Sequence, residues 1–71
     1  MPEDVQRRFG RLLRKLRRSR GMTQVQLAEH LGLDRSYLAD IERGNRNPSL
    51  VNLEIIAKGF GLTLSRLLGH L

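Results

Sequence analysis

One piece of punctuation recurs three times in this chain and constrains its fold more than any other feature. An apolar residue is followed by a capping residue, and four positions after the cap another apolar residue appears. Met22-Thr23-Leu27, Leu33-Asp34-Leu38 and Leu62-Thr63-Leu67 all fit. This is the hydrophobic staple, which fixes the angle at which a chain enters a helix. Gln26, three residues after Thr23, completes a capping box. Pro48-Ser49 ahead of Leu50 opens another helix, with Ser49 as cap. Glycines 21, 32, 44 and 61 stand where the preceding helices should stop. The pattern predicts five helices, at about 3–19, 24–31, 35–43, 50–60 and 64–69, with no strand and one real loop, Asn45-Arg46-Asn47-Pro48.

The expected architecture is therefore all-α, a single domain over residues 1–71. In helix 1, Val5, Phe9, Leu12, Leu13 and Leu16 form one stripe and arginines fill the other faces. Gly10 interrupts that pattern and marks either close packing or a weak point. The core is expected from Leu13, Leu16, Leu27, Ala28, Leu31, Leu38, Ile41, Leu53, Ile56 and Ala57. A chain of this size buries only about 60% of its unfolded surface, so that core is thin. No cysteine is present to staple it, and the two histidines, His30 and His70, stand in no metal-ligand spacing. No metal or other cofactor is expected, and self-association is the remaining supplement. Leu64, Leu67, Leu68 and Leu71 give the last segment more apolar surface than a closing helix needs; they either close the core or form a dimer interface, the second being preferred.

The formal net charge is +6, and its distribution says more than its total. Residues 1–20 hold eight Lys and Arg against two Asp and Glu, whereas residues 21–71 hold five of each. The excess thus lies wholly on the first segment. Such a field favours a polyanion, either nucleic acid or an anionic membrane surface, or else it only solvates a helix face. No apolar run approaches a membrane span and the start carries no signal-peptide pattern, so a cytoplasmic location is expected.

Helix 3 presents a different surface. At about 100° per residue, Leu38 and Ile41 point inward while Ser36, Ala39, Asp40 and Arg43 point outward, flanked by Arg35 and with Tyr37 at the border. A short polar face with a small residue at its centre suits entry into the DNA major groove, where base edges carry a distinct donor and acceptor pattern. Arg35 is the candidate for a bidentate contact to guanine. Ser36 can reach a base or a phosphate, and Tyr37 a phosphate or a thymine methyl. Asp40 either accepts from a cytosine amino group or pairs with Arg43 three residues on, the second being preferred.

The stretch TQVQLAEHLGLDRSYLADIERGNRNPSL resembles the helix-turn-helix domain of the phage-repressor (Cro/C1, Xre) family, and LEIIAKGFGLTLSRLL resembles that family's two closing helices. The likeness covers about Leu12 to Leu68. LDRSYLADIER followed by NRNPSL is most similar to small stand-alone regulators, among them the controller proteins of restriction–modification systems. The resemblance implies a compact five-helix bundle of the lambda-repressor-like type, with helices 2 and 3 as the helix-turn-helix. It implies base reading by Arg35, Ser36 and Ala39, with Tyr37 beside them. It implies phosphate or site-edge contact at Gln24, phosphate binding around Asn47, Ser49 and Asn52, and backbone or minor-groove reach for Arg46; Arg43 lies near the backbone. It also implies that Arg17 and Glu42 tie helix 1 to helix 3.

The functional expectation is a sequence-specific regulator that binds double-stranded DNA as a homodimer on a pseudo-palindromic site. The alternative is an antitoxin-like protein-interaction module that also binds DNA and offers helix 1 or helix 5 to a protein partner. A basic amphipathic helix lying on a membrane would account for helix 1 alone and leave the capped turn unexplained. Nothing in the chain groups an acid, a base and a nucleophile, so an enzyme is not expected.

Overall fold

The computed structural model describes residues 4–71, and the predicted helix start at Glu3 lies outside them. The element order is α1 (Val5–Ser19), α2 (Gln24–Leu31), α3 (Arg35–Glu42), α4 (Leu50–Gly59) and α5 (Leu64–Leu68). The described residues form five helices and no strand. None of these helices is long and apolar enough to cross a membrane.

Each helix starts where its side-chain cap closes. Asp4, Thr23, Asp34, Ser49 and Thr63 accept the backbone N–H three residues on, from Arg7, Gln26, Tyr37, Asn52 and Arg66. At Thr23 the box is complete: Oγ1 accepts from the Gln26 N–H at 3.1 Å, and Gln26 Oε1 accepts from the Thr23 N–H at 2.9 Å. Each cap satisfies a backbone donor that the helix itself leaves open, worth about 1 kcal/mol.

Helix ends share one device. The Met22, Leu33, Asn45 and Leu62 N–H groups donate to the carbonyls five residues back, those of Arg17, Ala28, Asp40 and Ala57. Closing that ring requires a left-handed residue, which Gly32 supplies between α2 and α3 with φ of 70°. Met22, Leu33 and Leu62 then pack against the core and serve as the apolar residue that opens the next helix. One side chain thus ends one helix and aims the following one, which is why turns as short as Gly32-Leu33-Asp34 hold a fixed angle.

The core consists of Phe9, Leu13, Leu27, Ala28, Leu31, Leu38, Ile41, Ile56, Ala57, Phe60 and Leu67. Phe9, Phe60 and Leu67 exceed the expected set, while Leu16 and Leu53 lie half-buried at its edge. Val5, placed on the helix 1 stripe by periodicity, is exposed; it lies in the first turn, beyond the reach of the core. Gly10 is a point of close packing. A Cβ there would lie 2.5 Å from the Ile41 carbonyl oxygen and 2.6 Å from that of Glu42, so α1 rests directly on the backbone at the end of α3.

Leu67 corrects an expectation. It was read as part of a dimer surface, but it is fully enclosed by its own chain and has no area to offer a partner. Leu68 and Leu71 are partly exposed and Leu64 is half-buried.

Candidate nucleic-acid interface

The candidate surface is built on one buried ion pair. Arg17 of α1 donates from Nε to Glu42 Oε2 at 2.7 Å and from Nη2 to Oε1 at 3.0 Å. Its remaining nitrogen, Nη1, donates to the Met22 carbonyl at 2.8 Å, in the connection to α2. Glu42 Oε1 also accepts from Gln24 Nε2 at 3.1 Å and, more distantly, from Arg14 Nε at 3.5 Å. The Glu42 side chain is wholly buried and that of Arg17 nearly so. Burial pushes the Glu42 carboxyl up, but hydrogen bonds from Arg17, Gln24 and Arg14 and the guanidinium charge outweigh it and hold the group below the ordinary carboxylate range. The hydrogen bond to Glu42 raises the Arg17 pKa against the desolvation that opposes it. Four pieces of the chain therefore meet around one ion pair: α1, the α1–α2 connection, the first residue of α2 and the last of α3.

Beyond that pair, the outer face of α3 divides in two. Arg35 and Ser36, in its first turn, are exposed, and no hydrogen bond or ion pair within the described residues holds either side chain. Ala39 beside them is half-buried and adds no bulk. The second half is a network. Tyr37 accepts on its hydroxyl from Asn52 Nδ2 of α4 at 2.9 Å. The Arg46 guanidinium lies over the Tyr37 ring, 5.2 Å from its centroid, and 3.6 Å from Asp40 Oδ2. Arg43 Nη2 donates to the other oxygen, Asp40 Oδ1. The loop after α3 thus folds back onto it, and Asp40 holds both arginines.

The predicted residues can now be located individually. Arg35, Ser36, Tyr37, Ala39, Arg43, Arg46 and Asn52 come together on and around the outer face of α3. Gln24 begins α2, but its amide is committed to Glu42. Ser49 uses its hydroxyl to cap α4, leaving the hydroxyl proton available outward. Asn47 lies to one side, on the rim of an apolar groove of about 270 Å³. That groove is lined by Val5, Phe9, Pro48, Leu53, Leu68 and Leu71. Leu50 and Val51, at the start of α4, are the most exposed large apolar residues among those described, at 69% and 68%. Sequence reasoning missed them, although Val51 stands off the Leu53–Ile56–Ala57 stripe. It also paired Asp40 with Arg43 alone; the pairing with Arg46 depends on the path of a loop.

The chain and its fold are similar to those of known proteins. A helix-turn-helix family model matches residues 13–67. Control protein C.MunI of Mycoplasma sp is 49% identical over 65 residues, covering 90% of this chain and 88% of that protein. The immunity repressor protein of Bacillus phage phi105 is 50% identical over 61 residues, covering 86% of this chain; the match spans only 42% of the repressor's own length. Among solved structures, the restriction–modification controller protein C.Esp1396I, a tetramer in complex with its natural 35 base-pair operator, superposes with a TM-score of 0.84 at 32% identity, covering 97% of this chain and 91% of that one.

Proposed function

Because this chain belongs to the Cro/C1-type helix-turn-helix family of DNA-binding transcription regulators, we propose that it is a sequence-specific regulator that binds a pseudo-palindromic operator as a homodimer. The observation that carries this reading is the state of the first turn of α3. Arg35 and Ser36 stand exposed and unpartnered on a helix whose position is fixed from behind by the buried Arg17–Glu42 pair. An arginine there offers the rigid two-pronged donor that matches guanine O6 and N7. Tyr37 and Ala39 complete the reading face. Arg43, Arg46 and Asn52 border it as candidate phosphate contacts, with Asn47, Ser49 and Gln24 as further candidates; such contacts set register and affinity.

The dimer brings two copies of α3 into successive major grooves about 34 Å apart. Its surface is the apolar margin formed by Leu68 and Leu71, with the half-buried Leu64 of the same segment. The similarity to the C.Esp1396I–operator complex supports the same mode of DNA engagement. Selection of bound duplexes from a random pool tests this directly. The expected result is an inverted repeat with half-site centres about one helical turn apart. Recovery of no motif, or of one lone half-site, would overturn the reading.

A further inference from the structure

Asp40 occupies an unusual place for an acid on a surface that meets DNA. Ser36, Ala39, Asp40 and Arg43 follow one another at spacings of three, one and three residues, so Asp40 lies in the middle of the outer stripe of α3. Its two oxygens hold Arg43 and Arg46, one each. Arg46 is further restrained by lying over Tyr37, which is itself tied to Asn52. In the free protein, two candidate phosphate-binding cations are therefore both drawn to one carboxylate.

Resting on the proposed DNA-binding reading, we propose that Asp40 is a specificity-determining residue that couples release of Arg43 and Arg46 to the identity of one base pair. To reach phosphates, both arginines must leave Asp40. The carboxylate then faces the major groove with acceptors only, because an ionised aspartate has no proton to donate. Most of what it meets there is also an acceptor: guanine O6 and N7, adenine N7 and thymine O4. Two donors are offered, adenine N6 and cytosine N4; the adenine amino group sits beside the N7 acceptor, so cytosine N4 is the one that fits an aspartate. Opposite cytosine, the released carboxylate regains a hydrogen bond. Elsewhere it is left unpaired near phosphates, and the arginines stay where they are. Pairing with the arginines and contact with cytosine are thus two states of one side chain.

The test compares Asp40→Asn with the wild-type protein in random-pool selection and in titrations against the selected operator and a scrambled duplex of equal length. Asparagine keeps the shape and removes the charge that holds the arginines. Affinity for the scrambled duplex should rise about tenfold, from loss of two exposed pairings. The salt dependence on that duplex should steepen by about 2 in log–log slope, as two more phosphates are neutralised. The selected motif should lose its cytosine preference at one position per half-site and keep the others. The gain on scrambled DNA should vanish in an Arg43→Ala, Arg46→Ala background, and Asp40→Ala should behave as Asp40→Asn if the latter folds poorly. An unchanged motif, or equal gains on operator and scrambled DNA, would overturn the proposal while leaving the DNA-binding reading intact. A wild-type protein that selects no motif would remove both.

Discussion

Arg17 and Glu42 are 25 residues apart and share two hydrogen bonds, Nε to Oε2 at 2.7 Å and Nη2 to Oε1 at 3.0 Å, in a setting where the carboxylate is fully enclosed. The pair fixes the end of α3 against α1. Removing one partner leaves a buried charge without compensation, which costs about 3–5 kcal/mol, whereas the net worth of the intact pair is far smaller. Arg17→Met should therefore lower the free energy of unfolding by that amount in urea titration. Glu42→Gln should cost less, because the amide oxygen still accepts from Arg17. The double replacement should recover much of the loss, and a simple sum of the two single effects would contradict this account.

The same pair sets a pH dependence. The Glu42 carboxyl lies below its ordinary value in the folded protein. Its contribution to stability is therefore complete above the unfolded-state pKa of about 4.3 and is lost as pH falls through the lower folded value. Urea midpoints measured from pH 7 down to 3 should stay level and then fall below about pH 4.3. In Glu42→Gln that acid loss should shrink. Equal acid sensitivity in both proteins would place the titrating group elsewhere.

Gly10 offers a test in which local preference and packing disagree. Replacing a mid-helix glycine by alanine ordinarily gains about 1 kcal/mol. Here the added methyl would meet the backbone oxygens of Ile41 and Glu42 at 2.5 and 2.6 Å. Backbone cannot rotate away, so α1 must shift off α3. Gly10→Ala is expected to destabilise by about 1–3 kcal/mol, the usual range for overpacking, as read from the thermal or urea midpoint. A more stable variant would mean that the two helices can separate freely at this point.

These cases show which parts of the molecule were legible from the residues. Caps, staples and stopping glycines act within a few positions, so the five helices and the short turn between α2 and α3 could be read directly. The helix ends differ by about a residue, as at Arg43, which caps α3 where the pattern placed it inside the helix. What could not be read depended on how elements dock. Gly10 needed the backbone of α3 opposite it, and the second partner of Asp40 needed the loop to fold back. Leu64, Leu67 and Leu68 crowd a helix of only five residues, and periodicity cannot rank them without knowing which side meets the core.

That ranking can be tested with two neighbouring leucines. Leu67 has no exposed surface and Leu68 is 36% exposed. Leu67→Ala should cost about 2–5 kcal/mol in unfolding free energy, as expected for truncation in a close-packed core. Leu68→Lys should leave the helical signal and the unfolding of the protomer nearly unchanged but shift sedimentation from dimer toward monomer. If Leu68→Lys left the sedimentation coefficient unaltered, this margin would not be the dimer surface, and Leu50 and Val51 would be the next residues to replace.

Arg35 carries the sharpest functional prediction. It is exposed, lies in the first turn of α3 and is tied to nothing else in the described chain, so its truncation should leave stability within about 0.5 kcal/mol of the wild type. Binding should respond differently. Arg35→Ala is expected to cost about 1–3 kcal/mol on the selected operator and little on a scrambled duplex, and to relax the motif at one guanine per half-site. Arg35→Lys should not rescue it, since a point charge lacks the two-pronged geometry that guanine matches. The alternative role, a phosphate contact, predicts the opposite pattern: an equal loss on both duplexes, a salt slope shallower by about 1, and substantial rescue by lysine. Titration of the three proteins against both duplexes at several salt concentrations separates the two roles.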